Sequence, residues 1–534
     1  MLDDNLSSAV VRFDIECEGK VTLEIFDPDG TCVYQGCDRE ISLRDIKLWW
    51  CNGQGEPNLY RWRAASASDE AGGYIGFKKI RLVMNGDAWE KPYGFPKSRS
   101  TPPITLELNG REIFAKGSNW VNSEIFTGTI TEETYAQQLA LVKDANMNIV
   151  RCWGGAVVNK DSFFALCDKL GIMVWQEFPL ACNNYVGTEA YLTVLEQEAT
   201  AIINRVKKHA CLVLWCGGNE LFNSWSKMTD QSYALRLLNK LCYELDRETP
   251  FIMTAPVMGM GHGHYVFYDP HTKESVFELF RQSECTAYSE FGIPSITELQ
   301  YLQEIFPPDI LKNPAPNSPW ETHKAFNSWL AGGKDTWLCA SIIDEVFGKQ
   351  QSLEEYIEKS AWMQSEGLKC VFEEARRQKP TCSMALSWCF NEPWINAAGL
   401  SLLTYPSRPK KAYYAVRDAL RNVMPSARFE HFKYTGGDML AFELWLLNDS
   451  AETVSDAVDV FLEIDGQKQH IITWNTGTVP ANTNKKGHKL QIELPRTKTQ
   501  PLTIVLEAAC GSSVYQLLLC EAETKQAVKH ALNM

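Results

Sequence analysis

The sequence predicts a (β/α)8 barrel set between two antiparallel β-sandwiches, and three observations carry that prediction. Between Phe114 and Asn422, short apolar runs alternate with segments of helical period, the pattern of parallel strands joined by crossover helices. On both sides of this region the apolar period changes to two, with turn residues at short intervals. Two of the apolar runs also end in a glutamate, Glu220 and Glu290. In a parallel barrel such strand ends open on one face, where active sites are built.

The bulk numbers narrow the classes. A chain of 534 residues holds about three or four domains. Its 45% hydrophobic and 22% charged residues are an ordinary globular balance. A net charge of −14 argues against nucleic acid or an anionic membrane surface as partner. The 17 cysteines are odd in number and include no Cys-x-x-Cys pair, so neither a zinc ribbon nor a redox motif is indicated. Cys167, Cys211, Cys242 and Cys370 sit in apolar runs and read as buried reduced thiols of a cytoplasmic protein. The opening Met1-Leu2-Asp3-Asp4-Asn5 shows no signal peptide, and no apolar stretch is long enough to span a bilayer.

Along the chain, Val11, Phe13, Ile15 and Cys17, then Val21, Leu23 and Ile25, alternate with polar residues. Asp27-Pro28-Asp29-Gly30 supplies a turn between strands. This first sandwich occupies residues 1–95, and Asn85 to Pro103 reads as a linker. Asn109-Gly110 is a tight hairpin turn. The barrel, residues 96–424, opens with the strand at Phe114. Thr129 and Glu132 have capping-box spacing, followed by a helical face of Tyr135, Leu139 and Val142. Strands are expected at Asn148–Trp153, Gly171–Trp175, Cys211–Leu214, Pro250–Ala255, His264–Tyr268, Cys285–Glu290 and Cys382–Trp388. Helices are expected at Phe163–Leu170, Glu189–Lys208 and Arg408–Asn422, and Ile293 to Lys349 reads as an elaborated loop over the barrel mouth. The last sandwich, residues 425–534, carries the alternations Val458, Val460, Leu462, Ile464 and Leu490, Ile492, Leu494, with turns at Asp465-Gly466 and Lys486-Gly487.

Two carboxylates at one barrel face are the equipment for cleaving a glycosidic bond. One protonates the leaving oxygen, and the other attacks the anomeric carbon or activates water. No His/Cys/Asp group has metal-ligand spacing and no glycine-rich phosphate loop follows a strand, so neither metal nor cofactor is expected.

Several ordered motifs resemble glycoside hydrolase family 2, and within it the β-mannosidase-like branch. Trp49-Trp50-Cys51-Asn52-Gly53-Gln54-Gly55 with Leu59-Tyr60, and Gly76-Phe77-Lys78-Lys79-Ile80, are similar to segments of that family's immunoglobulin-like domain. Phe114 to Trp120, Arg151-Cys152-Trp153-Gly154-Gly155 and Trp175-Gln176-Glu177-Phe178 resemble its first three barrel strands. Asn219-Glu220 resembles the acid/base motif and Ser289-Glu290-Phe291-Gly292 the nucleophile motif. Gly218 replaces a usual Asn, Glu177 a usual Asp, and Ile293-Pro294 a common Gln; these departures bear on the sugar rather than on the reaction. The chain begins within what resembles the family's second domain, so the N-terminal jelly-roll domain is expected to be absent from it.

The resemblance implies immunoglobulin-like sandwiches around the barrel, Glu290 as nucleophile, Glu220 as acid/base and an exo-acting retaining β-glycosidase. A β-mannoside is the leading substrate. A β-galactoside, a β-glucosaminide or a non-catalytic carbohydrate-binding role are the alternatives. Chemistry asks that Glu290 be ionised, and that the pKa of Glu220 be raised by burial or by the nearby Glu290 charge. Asn219 is a candidate donor to the sugar 2-OH, and Arg151 to fix Glu290 or Asn219. Trp388, Trp153 and Trp120 are candidate sugar platforms, Glu177 a candidate for sugar hydroxyls, and His264 and Tyr265 candidates to reach the pocket.

Overall fold

The computed structural model describes residues 2–17, 19–84, 104–326 and 337–522. The linker expected between Asn85 and Pro103 lies outside them, as does the 327–336 part of the expected mouth loop. The chain divides into two compact units: 1–267 with 284–422 and 449–451, and 268–283 with 423–448 and 452–534.

The first unit is built on eight parallel strands: Ala115–Trp120, Ile149–Cys152, Met173–Glu177, Leu212–Cys216, Phe251–Ile252, Met260–His262, Ala287–Glu290 and Met384–Ser387. They form one sheet in the order fifth, fourth, third, second, first, eighth, seventh, sixth, and this sheet curls into a TIM barrel. Leu212–Cys216 is buried at all five positions, which is why it reads as an unbroken apolar run. Outside the sheet, Glu132–Asp144 buries Tyr135, Leu139 and Val142 as its spacing predicts. Asp161–Leu170, Glu189–Val206 and Lys411–Ala419 are the other anticipated helices. Among the described residues, no helix is long and apolar enough to cross a membrane.

Several expectations are corrected. The sixth barrel strand is Met260–His262, not His264–Tyr268. Gly261 pairs with Tyr288, and a Cβ on Gly261 would come within 2.7 Å of the Tyr288 ring, so close approach favours glycine where strand propensity is poor. Tyr268–Asp269 instead pairs antiparallel with Glu274–Ser275 in the second unit. The first helix is capped by Thr131, whose hydroxyl accepts from the Thr134 N–H, while the Thr129 hydroxyl donates to the Phe126 carbonyl. Lys486-Gly487 is no turn: it lies inside Asn484–Glu493, at a register shift where Gly487 packs under the Trp474 ring. The 25-residue helix Leu353–Arg377 has no counterpart in the sequence reading. Cys167, Cys211 and Cys242 are buried as expected, but Cys370 is only half-buried.

N-terminal to the barrel, Ser8–Arg12 pairs with Glu40–Arg44, and Thr22–Phe26, Cys32–Gly36, Tyr60–Ala65 and Glu70–Ile75 form a second antiparallel sheet. Leu23, Ile25, Ile41, Leu43, Tyr60 and Phe77 share one core between them. The Trp49–Gly55 segment then seats this layer on the barrel. Trp49 Nε1 donates to the Asp168 carbonyl at 2.8 Å, Asn52 Nδ2 to the Met147 carbonyl at 2.9 Å and Gln54 Nε2 to the Asp449 carbonyl at 2.7 Å. In the second unit, three- and five-stranded sheets place Leu440, Phe442, Leu444, Val458, Val460, Ile504 and Leu517 in a buried core.

Within the first unit, Asp449 is a buried counter-charge for three cations. Its carboxylate lies 3.0 Å from Lys116 Nζ, 2.8 Å from Arg376 Nε and 2.7 Å from Lys379 Nζ. Burial alone would raise its pKa, but the three cations hold it well below the usual carboxylate range. Burial outweighs Asp449 at Lys116, whose pKa falls to about 8. Removing one member of such a group strands the others, at a cost of about 3–5 kcal/mol. Asp449→Asn is therefore expected to lower the unfolding free energy by that amount, seen as a lower urea midpoint at an unchanged m-value; an unchanged midpoint contradicts this pairing. Because the folded pKa is depressed, the native advantage is complete above the unfolded value of 3.8 and shrinks as pH falls below it.

Candidate active site

Arg151, at the third position of the second strand, is fully buried and lies at the centre of the barrel's carboxylates. Its Nε and Nη2 both donate to Glu177 Oε1, at 2.9 and 2.8 Å. Nη1 donates to Asn119 Oδ1 and Glu290 Oε1, each at 2.5 Å, and Nη2 to Asn219 Oδ1 at 2.7 Å. One guanidinium thus holds side chains from the first, third and seventh strands and the turn after the fourth. Burial works against its charge, but Glu177 and Glu290 more than compensate and raise its pKa.

Glu290 ends the seventh strand. Besides Arg151 on Oε1, its Oε2 accepts the Tyr265 hydroxyl at 2.7 Å. Burial and the Glu290 charge keep that phenol protonated and a donor. Glu220 sits just past the fourth strand at φ 53, its N–H bonded to the Ala255 carbonyl at 2.7 Å. Gly218 makes this turn possible: it adopts φ 149, and a Cβ there would meet the Leu180 carbonyl at 2.3 Å. Glu220 Oε2 accepts from the Cys182 thiol at 3.3 Å, and Oε1 lies 3.0 Å from His262 Nε2. The same Nε2 lies 3.3 Å from Glu290 Oε1.

The raised pKa expected for Glu220 is corrected here. Burial does push it up, but the His262 hydrogen bond and charge, Cys182 and Arg151 together win, and the group is lowered. Glu177 is corrected as well. It is buried, with Oε1 taken by Arg151 and Oε2 accepting the Gly154 N–H at 2.7 Å, so it anchors Arg151 and does not present oxygens to a sugar. Trp120 is core, buried against Tyr135, Phe163 and a stacked Phe390. Trp153 and Trp388 are partly exposed at the ends of the second and eighth strands and meet edge to face, with centroids 5.1 Å apart. The Trp153 indole N–H finds no acceptor among the described residues. His264 is fixed through its backbone, whose carbonyl accepts from Gly292 at 2.9 Å. The imidazole of His262 lies 3.0 Å from Glu220 and 3.3 Å from Glu290.

Sequence reading missed His262, Asn119 and Cys182. For His262 the signal was the alternation of Met260 and His262 through Gly261, masked by the more apolar run at Tyr265–Tyr268. Asn119 lay inside a recognised strand motif, but nothing in that motif marks it as a partner of Arg151. Cys182 lies beyond the third strand and becomes a neighbour of Glu220 only through the parallel bridge of Ala181 to Asn219.

Against this geometry, residues 104–295 match the family model "Glycosyl hydrolases family 2, TIM barrel domain". The matched segment is a family 2 glycoside hydrolase barrel domain, and over most of its length the chain is similar to β-mannosidases. It is 25% identical over 512 residues to β-mannosidase B of Aspergillus niger, covering 89% of this chain and 58% of the relative. It is 29% identical over 250 residues to the β-mannosidase of Mus musculus, covering 42% of this chain and 27% of that one. The chain thus spans little more than half the length of the fungal relative. In fold it is similar to the β-D-mannosidase of Dictyoglomus thermophilum, with a TM-score of 0.74 at 23% identity over 93% of this chain and 62% of that one. An exo-chitosanase of Amycolatopsis orientalis gives 0.70 at 17% over 97% and 62%.

The environment of Cys182 offers a test of this geometry that needs no substrate. Its thiol pKa is pushed up to about 12 by burial first and then by the Glu220 charge and hydrogen bond. The thiolate is the reactive form, so Cys182, although exposed like Cys37, is expected to react with iodoacetamide at pH 8 at least about tenfold more slowly than Cys37, followed by peptide mass spectrometry. Glu220→Gln should speed it. A fast Cys182 that ignores this substitution contradicts the contact.

Proposed function

We propose that the chain is an exo-acting retaining β-glycosidase that removes terminal β-mannosyl residues, with Glu290 as nucleophile and Glu220 as acid/base. The observation that carries this reading is the single imidazole nitrogen lying 3.0 Å from one carboxylate and 3.3 Å from the other. A span that short supports the separation of about 5–5.5 Å used for a covalent intermediate, rather than the roughly 6.5–9.5 Å that leaves room for a water.

The roles follow from the contacts. Glu290 is oriented by Arg151 and Tyr265, the donors an attacking carboxylate needs. Glu220 is held low in the free protein, so it must take up its proton with the sugar bound. Covering the carboxyl strengthens the desolvation that already acts on it in that direction. Asn219 accepts from Arg151 through Oδ1 and donates through Nδ2 to the Cys182 sulfur at 3.3 Å; it is the proposed donor to the sugar 2-OH. Trp153 and Trp388 are the proposed aromatic walls. The sheets at residues 1–95 and 425–534 are proposed as immunoglobulin-like sandwiches flanking the barrel at 96–424. The sugar follows the β-mannosidase relatives, and the proposed partner is a carbohydrate substrate, with neither nucleic acid nor membrane.

Turnover of a panel of aryl β-glycosides tests the reading, with kcat/KM expected to be highest on the β-mannoside. Glu290→Ala should abolish turnover, since no covalent intermediate can form. Glu220→Ala should lose most on poor leaving groups in the glycosylation step, and added azide should yield a β-glycosyl azide. An α-azide, or wild-type turnover by Glu290→Ala, would overturn the assignment.

Glu177→Ala is expected to lower kcat/KM at least about tenfold, roughly 1.4 kcal/mol. Because Glu177 acts through Arg151, the loss should be equal across the panel. A loss confined to mannosides would show that Glu177 reads the sugar after all.

A further inference from the structure

Cys182 sits where the side chains of two consecutive residues, Asn219 and Glu220, meet. Its thiol donates to Glu220 Oε2 at 3.3 Å, and its sulfur accepts from Asn219 Nδ2 at 3.3 Å. The loop after the third strand holds it there. Ala181 forms a parallel bridge with Asn219. The Asn219 N–H donates to the Leu180 carbonyl at 2.9 Å, and the Cys182 N–H donates to the Asn219 carbonyl at 3.0 Å. The Tyr185 hydroxyl accepts from the Ala181 N–H at 2.8 Å and donates to the Ala181 carbonyl at 3.2 Å. Cys182 leaves this bridge at φ 50 and meets Glu220 at φ 53. Both lie in the left-handed region, which is uncommon for residues other than glycine, so the contact is made against local backbone preference.

The donors are assigned from both ends. Arg151 has only donors, so the Asn219 atom facing it is Oδ1, and the amide nitrogen faces the sulfur. A thiol has one proton. Asn219 brings its own donor to the sulfur, so the thiol proton is left for Glu220 Oε2. Among the described residues, Cys182 is the only side chain bonded to that oxygen. The other titratable or charged groups near Glu220 lie on another side. His262 Nε2 is 3.0 Å from Oε1, and past it is Glu290, bonded to Arg151 and Tyr265.

We infer that Cys182 is a positioning residue for the reaction: its thiol occupies Glu220 Oε2, so that Oε1 carries the proton that is transferred, and its sulfur holds the Asn219 amide so that one N–H remains for the sugar 2-OH. This rests on the roles given to Glu220 and Asn219 above. In the first step the Oε1 proton goes to the leaving oxygen as the glycosidic C–O bond breaks and Glu290 bonds to the anomeric carbon. In the second, Glu220 takes a proton from water as the water oxygen bonds to that carbon and the Glu290 ester breaks. The thiol keeps its own proton throughout, since desolvation and then the Glu220 charge and hydrogen bond push its pKa up to about 12. A hydrogen bond to an ionised acceptor is stronger than one to a neutral acceptor, so the thiol favours the anionic form of Glu220. Burial works the other way, and Cys182 is among the groups that outweigh it.

Removing the thiol should therefore raise the pKa of Glu220, and the two limbs that report it should move the same way. With a poor leaving group the first step limits kcat and needs Glu220 protonated. The alkaline limb of kcat should then move to higher pH in Cys182→Ala. With an activated aryl glycoside, where a burst of phenol shows that the second step limits kcat, Glu220 must be ionised. The acid limb should then also move to higher pH. The expected movement is at least about half a pH unit, a roughly threefold change in the ionised fraction along the limb. The ratio of kcat/KM on an aryl β-mannoside to that on its 2-deoxy counterpart should fall at least about threefold. Cys182→Ser keeps one proton and an acceptor, so it should hold both limbs and the ratio near the parent.

Limbs that stay in place in Cys182→Ala, whatever happens to the rate, are what a merely structural role would give, and they overturn the assignment. So do limbs that move as far in Cys182→Ser, or an unchanged 2-deoxy ratio in Cys182→Ala. A parent protein that turns over no glycoside in the panel refutes the underlying glycosidase reading instead, and the two failures are distinguishable.

Discussion

A buried guanidinium is tolerable only if its hydrogen bonds are made, and Arg151 makes five. Its partners are Glu177 on the third barrel strand, Asn119 on the first, Glu290 on the seventh and Asn219 after the fourth. Each is placed by a different strand, so the register of the barrel and the geometry of the site are one constraint. Asn119 sits directly opposite Arg151 in the ladder, and Glu177 one strand further on. A slip between any two of these strands would leave a charge unpaired in the interior, a cost of several kcal/mol. The site therefore helps to specify the barrel that holds it.

Charge pairing also separates the two glutamates. Glu290 is held by a guanidinium and a phenol that stays protonated. Glu220 lies against an imidazole and a thiol, and burial and the Glu220 charge hold the thiol in its protonated form. Two carboxylates a short distance apart would otherwise repel and compete for one proton. Their unequal partners set the two carboxylates apart. Glu177, which from sequence looked like a sugar ligand, belongs to the first of these arrangements. Its buried carboxylate fixes Arg151, and through it Glu290.

What the sequence disclosed and what it hid follow from the range of the interactions. Leu212–Cys216 was legible because burial on both faces leaves an unbroken apolar run, and the Asn-Glu that follows could be placed from it. The Asn109-Gly110 turn was legible because its positive φ values at 53 and 80 are a local demand. The sixth strand was not, since Gly261 and His262 are chosen by the Tyr288 ring and two distant carboxylates rather than by strand propensity. The apolar run just after it was the stronger local signal. Trp120, Trp153 and Trp388 look alike in sequence. Only packing separates the first, enclosed by Tyr135, Phe163 and Phe390, from the two at the barrel mouth.

In the proposed reaction Glu290, oriented by Arg151, attacks the anomeric carbon. A 2-deoxy-2-fluoro-β-mannosyl fluoride tests it directly, because the fluorine slows hydrolysis of any glycosyl-enzyme that forms. After incubation and proteolysis, mass mapping should find one sugar per chain, esterified to Glu290. A label on another residue, or no label from a protein that turns over the parent glycoside, would contradict the account.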